Sequence, residues 1–341
     1  MRYALTHEQR SVQALARDLV RGHFGSARAR EIMAAEVWPG VEGTAHRAIC
    51  DAGLNSLLIP ESIGGAGAGY VEACLVAEEF ARGLATMPYS GSSIIASTAL
   101  LAAGRDDQLQ AMAAGHHYSV VLDENVQRPA NGPTGLLWDW MPGSVPITVD
   151  GADVVASAPN PEVGRSEDLL RPLARVSLET VAMRETQSPT AVHAAAWIAA
   201  AAELTGLMAA ALDQAVEHAK TREQFGVPIG SFQAIQHRLA DMYTQVEASR
   251  ALLYGCAWQM DHAGPAAAVT AAAMAKSAAS DTAPVVVESA FQVFGGMGFT
   301  WESDIHLLLR RVHRLAMAFG DGRAAARAGG MSLLSADGGE D

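Results

Sequence analysis

The sequence has few aromatic residues, little positive charge and no long uninterrupted apolar run. Aromatic residues make up 6% of the 341 residues, so alanine, leucine and valine must supply most of the core, a composition that favours helices. The formal net charge of −13 argues against nucleic acid and against an anionic membrane surface, because lysine and arginine bind both. No run reaches the roughly 18 apolar residues free of charge that a membrane-spanning helix needs, so we predict no membrane segment.

Cysteine is also scarce. The three cysteines, Cys50, Cys74 and Cys256, lie in apolar helical contexts and show no CxxC spacing. An odd, sparse set of this kind indicates buried thiols in a reducing compartment, and it excludes a disulfide framework or a zinc site. We therefore expect a cytoplasmic protein.

The order of sequence patterns predicts an α+β protein of several domains. Thr6 and Gln9 form a capping box that opens the first helix. Short β-branched runs broken by Pro, Gly and Asn begin at about Tyr118 and predict a small, mostly antiparallel sheet or barrel. We expect the segment from Ala328 onward to be loose. The predicted domains are a helical N-terminal domain (1–117), a shortened β middle domain (118–187), a C-terminal four-helix bundle (188–335) and a loose tail (336–341).

The stretch "KTREQFGVPIGSFQAIQHRLADM", Lys220 to Met242, predicts a helix end, a Gly/Pro turn and a new amphipathic helix. In a structural interpretation, Arg222 is a solvated charge that complements the helix dipole and Phe225 staples the turn. In a functional interpretation the turn is a pyrophosphate clamp. Arginine offers planar, bidentate donors for phosphate oxygens, and a neighbouring aromatic ring can cover a flat heterocycle.

A second stretch, "SAFQVFGGMGFTWESDIH", runs from Ser289 to His306. Gly295 and Gly296 can be a simple helix stop, or they can let the backbone lie close to a ligand while the Gln292 amide binds its polar edge. The acidic and histidine side chains at Glu302, Asp304 and His306 are better explained as the start of a helix than as a metal site. We therefore predict no metal.

Taken together, "TREQFG…PIGSFQAIQHRLADM" and "QVFGGMGFT" resemble the C-terminal domain of the acyl-CoA dehydrogenases. "ALTHEQR" and "IPESIGGAGAG" are similar to the first helix and the Gly-rich loop of that family. The resemblance implies the family's fold and an FAD bound across a subunit interface. One subunit would hold the ADP half of an FAD whose flavin lies in its neighbour. The implied cofactor contacts in this sequence are Arg222, Phe225, Phe232, Gln233, Gln292, Gly295 and Gly296.

The family's reaction uses a carboxylate base that removes an α-proton from an acyl thioester, and the sequence lacks a carboxylate at both of the positions where the family carries it. By the resemblance, Phe319 in "RLAMAFGDGR" and Ala196 beside Trp197 occupy these positions. The middle domain departs as well. "VLDENVQRPANG" replaces the family's flavin-side strand motif, and no Trp-Ile-Thr segment follows.

The resemblance is strongest to the short, base-lacking subunits of actinobacterial α2β2 acyl-CoA dehydrogenases that act on steroid side chains. It implies a homologous catalytic partner subunit, an acyl-CoA substrate and an electron-transferring flavoprotein as acceptor. The alternatives are a self-sufficient homo-oligomer with a relocated base, Glu203 or Asp321, a flavin-free helical scaffold, and a flavin-dependent monooxygenase or oxidase on the same fold.

Overall fold

A computed structural model of the chain describes residues 4–35, 38, 43–122, 134–148, 161–164, 166–177 and 189–337. The described residues of the N-terminal part contain six α-helices. At the start of the first helix, the Thr6 hydroxyl accepts from the backbone N–H of Gln9. The Gln9 side chain accepts from the backbone N–H of Thr6, which confirms the predicted capping box. The helices are α1 (His7–His23), α2 (Ser26–Ala34), α3 (Gly43–Asp51), α4 (Tyr70–Arg82), α5 (Ser97–Ala102) and α6 (Asp106–Ala113).

The described residues in the middle of the chain form a five-stranded sheet in the order β3-β1-β2-β5-β4. Its strand pairs are antiparallel except for β1 with β3, which are parallel. Val120 and Leu122 pack into the main core, whereas Val121 between them packs on the other face with Leu137 and Val176. The strands are β1 (Tyr118–Leu122), β2 (Thr134–Trp138), β3 (Val145–Thr148), β4 (Glu162–Gly164) and β5 (Leu173–Ser177).

The C-terminal part is built on one long apolar helix. Of the described helices, this one has the length and hydropathy of a membrane span, but its most apolar window is completely buried by the rest of the protein, as in a core helix. A Cβ at its Gly206 would lie 2.1 Å from the Glu78 carbonyl oxygen, so only glycine allows the contact with α4. The elements are α7 (Pro189–Thr221), β6 (Glu223–Gln224), β7 (Val227–Pro228), α8 (Gln233–Ala263), α9 (Val269–Phe294), α10 (Ile305–Met317) and α11 (Gly322–Asp337).

This arrangement confirms the predicted fold class, while the predicted domain boundaries stay predictions. Residues 328–337 form the second part of α11. The predicted tail therefore begins inside a helix, and residues 338–341 lie outside the described part. The predicted domain boundary at 187/188 also involves undescribed residues.

Buried ion pairs connect the sheet and its loops to the helices. Arg311, which is 0% exposed, donates from Nε to the Asp168 carboxylate at 2.8 Å and from Nη1 to the Ala85 carbonyl at 3.0 Å. Burial disfavours the charged form of Asp168, but the nearby arginines, Arg311 first among them, outweigh this and lower its pKa. These contacts join the loop before β5, the N-terminal part and α10 at one point.

The imidazole of His117 is buried and hydrogen-bonded at both nitrogens. Nε2 lies 2.7 Å from the Pro88 carbonyl, to which it donates, and Nδ1 lies 2.9 Å from the Ser144 hydroxyl, from which it accepts. Burial lowers the pKa of His117 to about 4. The folded protein therefore keeps this histidine neutral at pH values where the unfolded chain protonates it.

We expect His117 to make the protein sensitive to acid. Because its folded pKa is the lower one, its contribution to stability is present above about pH 6.5 and is lost as the pH falls toward 4, a change on the order of 3 kcal/mol. Chemical unfolding between pH 7 and pH 4 should show a shallower loss of unfolding free energy in His117→Gln than in the wild type. His116→Gln, at the exposed neighbour, is the control; an unchanged slope in His117→Gln would contradict the assignment.

Candidate functional site

The turn after α7 is a small hairpin that presents an aromatic ring to solvent. Phe225 and Gly226 both have positive φ, +55° and +77°, as the two central residues of a type I′ turn require. The base of the hairpin is closed by a hydrogen bond, in which the Ile229 amide donates to the Arg222 carbonyl at 2.8 Å. Phe225 is 94% exposed, which is unusual for a phenylalanine and indicates a ring that a ligand or another chain covers.

Beside this hairpin lies a groove of about 350 Å³. Phe225 and Phe232 meet edge to face across its mouth, with ring centroids 6.2 Å apart. Arg222 supplies a cation at its side, and no side chain caps the first turn of α8, which begins next to Phe232. The groove thus combines flat apolar walls with donors for an anion. The lining residues are His218, Arg222, Gln224, Phe225, Ile229, Phe232, Ile235, Val293 and Phe294.

Six of the nine lining residues were not predicted from the sequence, and two of them, His218 and Phe294, are aromatic rings. Their rings stack at 4.3 Å, with 12° between the planes, and form the wall between α7 and α9. Burial, and to a lesser extent the charge of Arg222, lowers the pKa of His218 and so disfavours its charged form. One signal was available: His218 lies four residues before Arg222, in the last turn of α7.

The remaining predicted contacts lie next to the groove but do not line it. Gln233 is the exposed first residue of α8, directly after Phe232. Gln292 is exposed near the end of α9, and Gly295 caps this helix next to Phe294. A Cβ built at Gly295 or Gly296 would meet no atom within 4 Å, so the space beside this backbone is open. The structure thus gathers the seven residues at one end of the helical domain.

The two positions predicted for the catalytic base are buried in the interior, and neither of them lines the groove. Ala196 on α7 is 4% exposed and Phe319, after α10, is 8% exposed. Trp197, the neighbour of Ala196, donates from Nε1 to the Phe319 carbonyl at 2.9 Å. The Phe319 ring packs edge to face on Trp138 of β2 with centroids 5.2 Å apart. Neither an alanine nor a phenylalanine can accept a proton.

The two alternative carboxylates have structural partners. Glu203 is 2% exposed and pairs with Arg171 at 2.9 Å, and Arg171 also pairs with Asp139 at 2.9 Å. Asp321 accepts from the Ala324 amide at 2.8 Å and so caps α11. The cluster near Asp304 is also structural: Asp304 pairs with Arg30 at 3.0 Å, and the described residues contain no group of three His, Cys, Asp or Glu side chains that could hold a metal.

A helical domain, a small sheet and a second helical domain with a groove at its hairpin define the acyl-CoA dehydrogenase class of fold. Residues 6–115 match the N-terminal domain of acyl-CoA dehydrogenases and residues 193–330 match the C-terminal domain of the same family. The chain belongs to this family, whose members are FAD-dependent.

Several acyl-CoA dehydrogenases are similar to nearly the whole length of this chain. The chain is 32% identical to acyl-CoA dehydrogenase IpdE2 of Mycolicibacterium smegmatis, over 95% of this chain and 98% of the relative. Among solved structures it is similar to a variant of the Tcur3481–Tcur3483 steroid acyl-CoA dehydrogenase (26% identity, TM-score 0.82, covering 97% and 99% of the two chains). It is also similar to the ChsE4–ChsE5 complex of Mycobacterium tuberculosis (25% identity, TM-score 0.81, covering 98% and 99%).

Proposed function

We propose that this chain is the base-lacking subunit of a heteromeric, FAD-dependent acyl-CoA dehydrogenase that acts on CoA thioesters in steroid side-chain degradation. It supplies the ADP-half site of an FAD whose flavin lies in a homologous catalytic subunit. One observation carries the proposal: the groove at Arg222, Phe225 and Phe232 is open to solvent, while both base positions, Ala196 and Phe319, are apolar and buried.

The residues at the groove fit a dinucleotide tail. Arg222 and the uncapped start of α8 provide positive charge for a pyrophosphate, and the exposed Phe225 ring provides a flat surface for a heterocycle. The open space beside Gly295 and Gly296 lets the tail approach the backbone. When bound, the flavin accepts the hydride from the substrate; this chain's part is to bind and orient the cofactor.

A partner subunit is required because this chain offers no proton acceptor at the predicted positions. Two of the similar structures carry names of two-component enzymes, and these names support a heteromeric assembly. We expect an α2β2 arrangement, an acyl-CoA substrate bound in the partner, an electron-transferring flavoprotein as acceptor and a cytoplasmic location.

Co-expression with a homologous acyl-CoA dehydrogenase subunit that has a glutamate at a base position tests the proposal. We expect a yellow complex with flavin absorbance and acyl-CoA dehydrogenase activity, and a lone chain that lacks both. A colourless complex would favour a structural scaffold. Flavin-dependent oxygenation in place of dehydrogenation would favour the monooxygenase interpretation.

A substitution at Glu203 distinguishes the proposed two-subunit enzyme from a self-sufficient enzyme that uses Glu203 as its base. Glu203→Gln removes a charge from the pair with Arg171, so we expect a loss of about 2 kcal/mol in unfolding free energy. Turnover per bound flavin of the folded complex should stay within about twofold, because the carboxylate does not touch the substrate. Glu217→Gln, at an exposed residue of the same helix, is the matched control. A drop of about 100-fold or more in turnover would make Glu203 the base.

A further inference from the structure

Phe319 is held in a backbone conformation that phenylalanine rarely adopts. Its φ is +59°, in the left-handed region, and the following Gly320 has φ +90°. Non-glycine residues stay there only when the surrounding structure fixes them, and such strain is found at functional sites. Contacts from other elements must therefore hold the turn between α10 and α11 in place.

Two buried donors fix this turn. Trp197 donates to the Phe319 carbonyl from α7. From α9, the Lys276 ammonium donates to the carbonyls of Leu315 and Ala316 at 3.2 and 2.9 Å. Lys276 is 0% exposed, and burial lowers its pKa to about 7 despite the nearby charges of Asp321 and Asp281. A lysine kept in so unfavourable an environment indicates that the position of the turn matters.

The Phe319 side chain packs on the sheet, while its backbone is bound from α7. The ring meets Trp138 of β2 edge to face, and Trp138 is itself covered by the Arg314 guanidinium at 4.6 Å from the ring centroid. Trp197 of α7, which binds the Phe319 carbonyl, is stacked on His193. The walls around Phe319 are thus flat, mostly apolar and held from several sides.

We infer that Phe319 is a plug: its ring closes a space between β2, α7 and the α10–α11 turn that is shaped for a flat apolar ring. This inference rests on the proposed function for its meaning, since it explains how the subunit excludes an acyl group from its own interior. Phe319 is thus the residue that keeps an acyl group out of this subunit. It also cannot act as a base.

Benzene binding to the full-length chain tests the plug. Phe319→Gly suits the positive φ and removes the whole ring, so the rigid walls should leave a dry cavity that binds benzene. Benzene at ten times its Kd should raise the Tm of this variant by about 2 °C, with no rise in the wild type. A folded Phe319→Gly variant that benzene does not stabilise would overturn the inference.

If Phe319→Gly fails to fold, the crystal structure of Phe319→Leu tests whether Phe319 is a plug. The plug requires Trp138 and Trp197 to stay in place around the smaller side chain, whereas movement of the two indoles into the space would overturn it. Neither readout depends on flavin, and the flavin content of the complex tests the proposed function separately.

Discussion

Replacing Arg222 by alanine will remove most of the flavin from the complex between this chain and its catalytic partner. Arg222 is the cation that lines the groove together with Phe225 and Phe232. An arginine that binds phosphate oxygens contributes about 1.5–3 kcal/mol, so its loss should weaken FAD binding by about 10- to 100-fold. Titration of the deflavinated complex with FAD, followed by flavin fluorescence, measures this change.

Lys220→Ala is the matched control for that substitution. Lys220 lies two residues before Arg222, carries the same charge and pairs with the exposed Glu217 at 3.9 Å, away from the groove lining. The change in overall charge is identical in the two variants. Equal FAD affinity in Arg222→Ala and in Lys220→Ala would show that Arg222 does not bind the cofactor.

A second large effect is expected at Arg311. Arg311→Met leaves Asp168 buried without its main partner and removes the donor to the Ala85 carbonyl. Breaking a buried ion pair on one side costs about 3–5 kcal/mol, because the remaining charge is uncompensated. This is a large part of the 5–15 kcal/mol that roughly spans the stability of folded proteins, so many of the molecules should unfold in mild denaturant.

The neighbouring residue provides the control for this prediction. Arg310 pairs with Glu167 at 3.8 Å, and the Glu167 side chain is 93% exposed. Exposed pairs contribute roughly 0–1 kcal/mol, so Arg310→Met should change the urea midpoint little. If the two methionine variants unfold at the same urea concentration, the buried pair is not a main support of the fold.

The features predicted correctly are those that neighbouring residues determine. The capping box of Thr6 and Gln9 depends on side chains three positions apart. The turn at Phe225 and the helix stop at Gly295 follow from local backbone chemistry. Such features can be predicted because their energy comes from contacts within one or two turns of the chain.

The features that the sequence did not predict depend on distant contacts. Asp168 and Arg311 are 143 residues apart, and nothing near either residue indicates the other. The parallel pairing of β1 with β3 depends on how the sheet packs, since both strands have the same local pattern. The stacking of His218 on Phe294 requires α7 and α9 to lie side by side, which periodicity alone does not specify.

Reduction of bound flavin by an acyl-CoA tests the central claim most directly. The claim is that this chain binds the dinucleotide end of FAD but has no group that can deprotonate the thioester. Under anaerobic conditions, flavin absorbance is followed after adding an acyl-CoA that the complex oxidises. We predict rapid bleaching in the complex and none in the lone chain with excess FAD; bleaching by the lone chain would contradict the account.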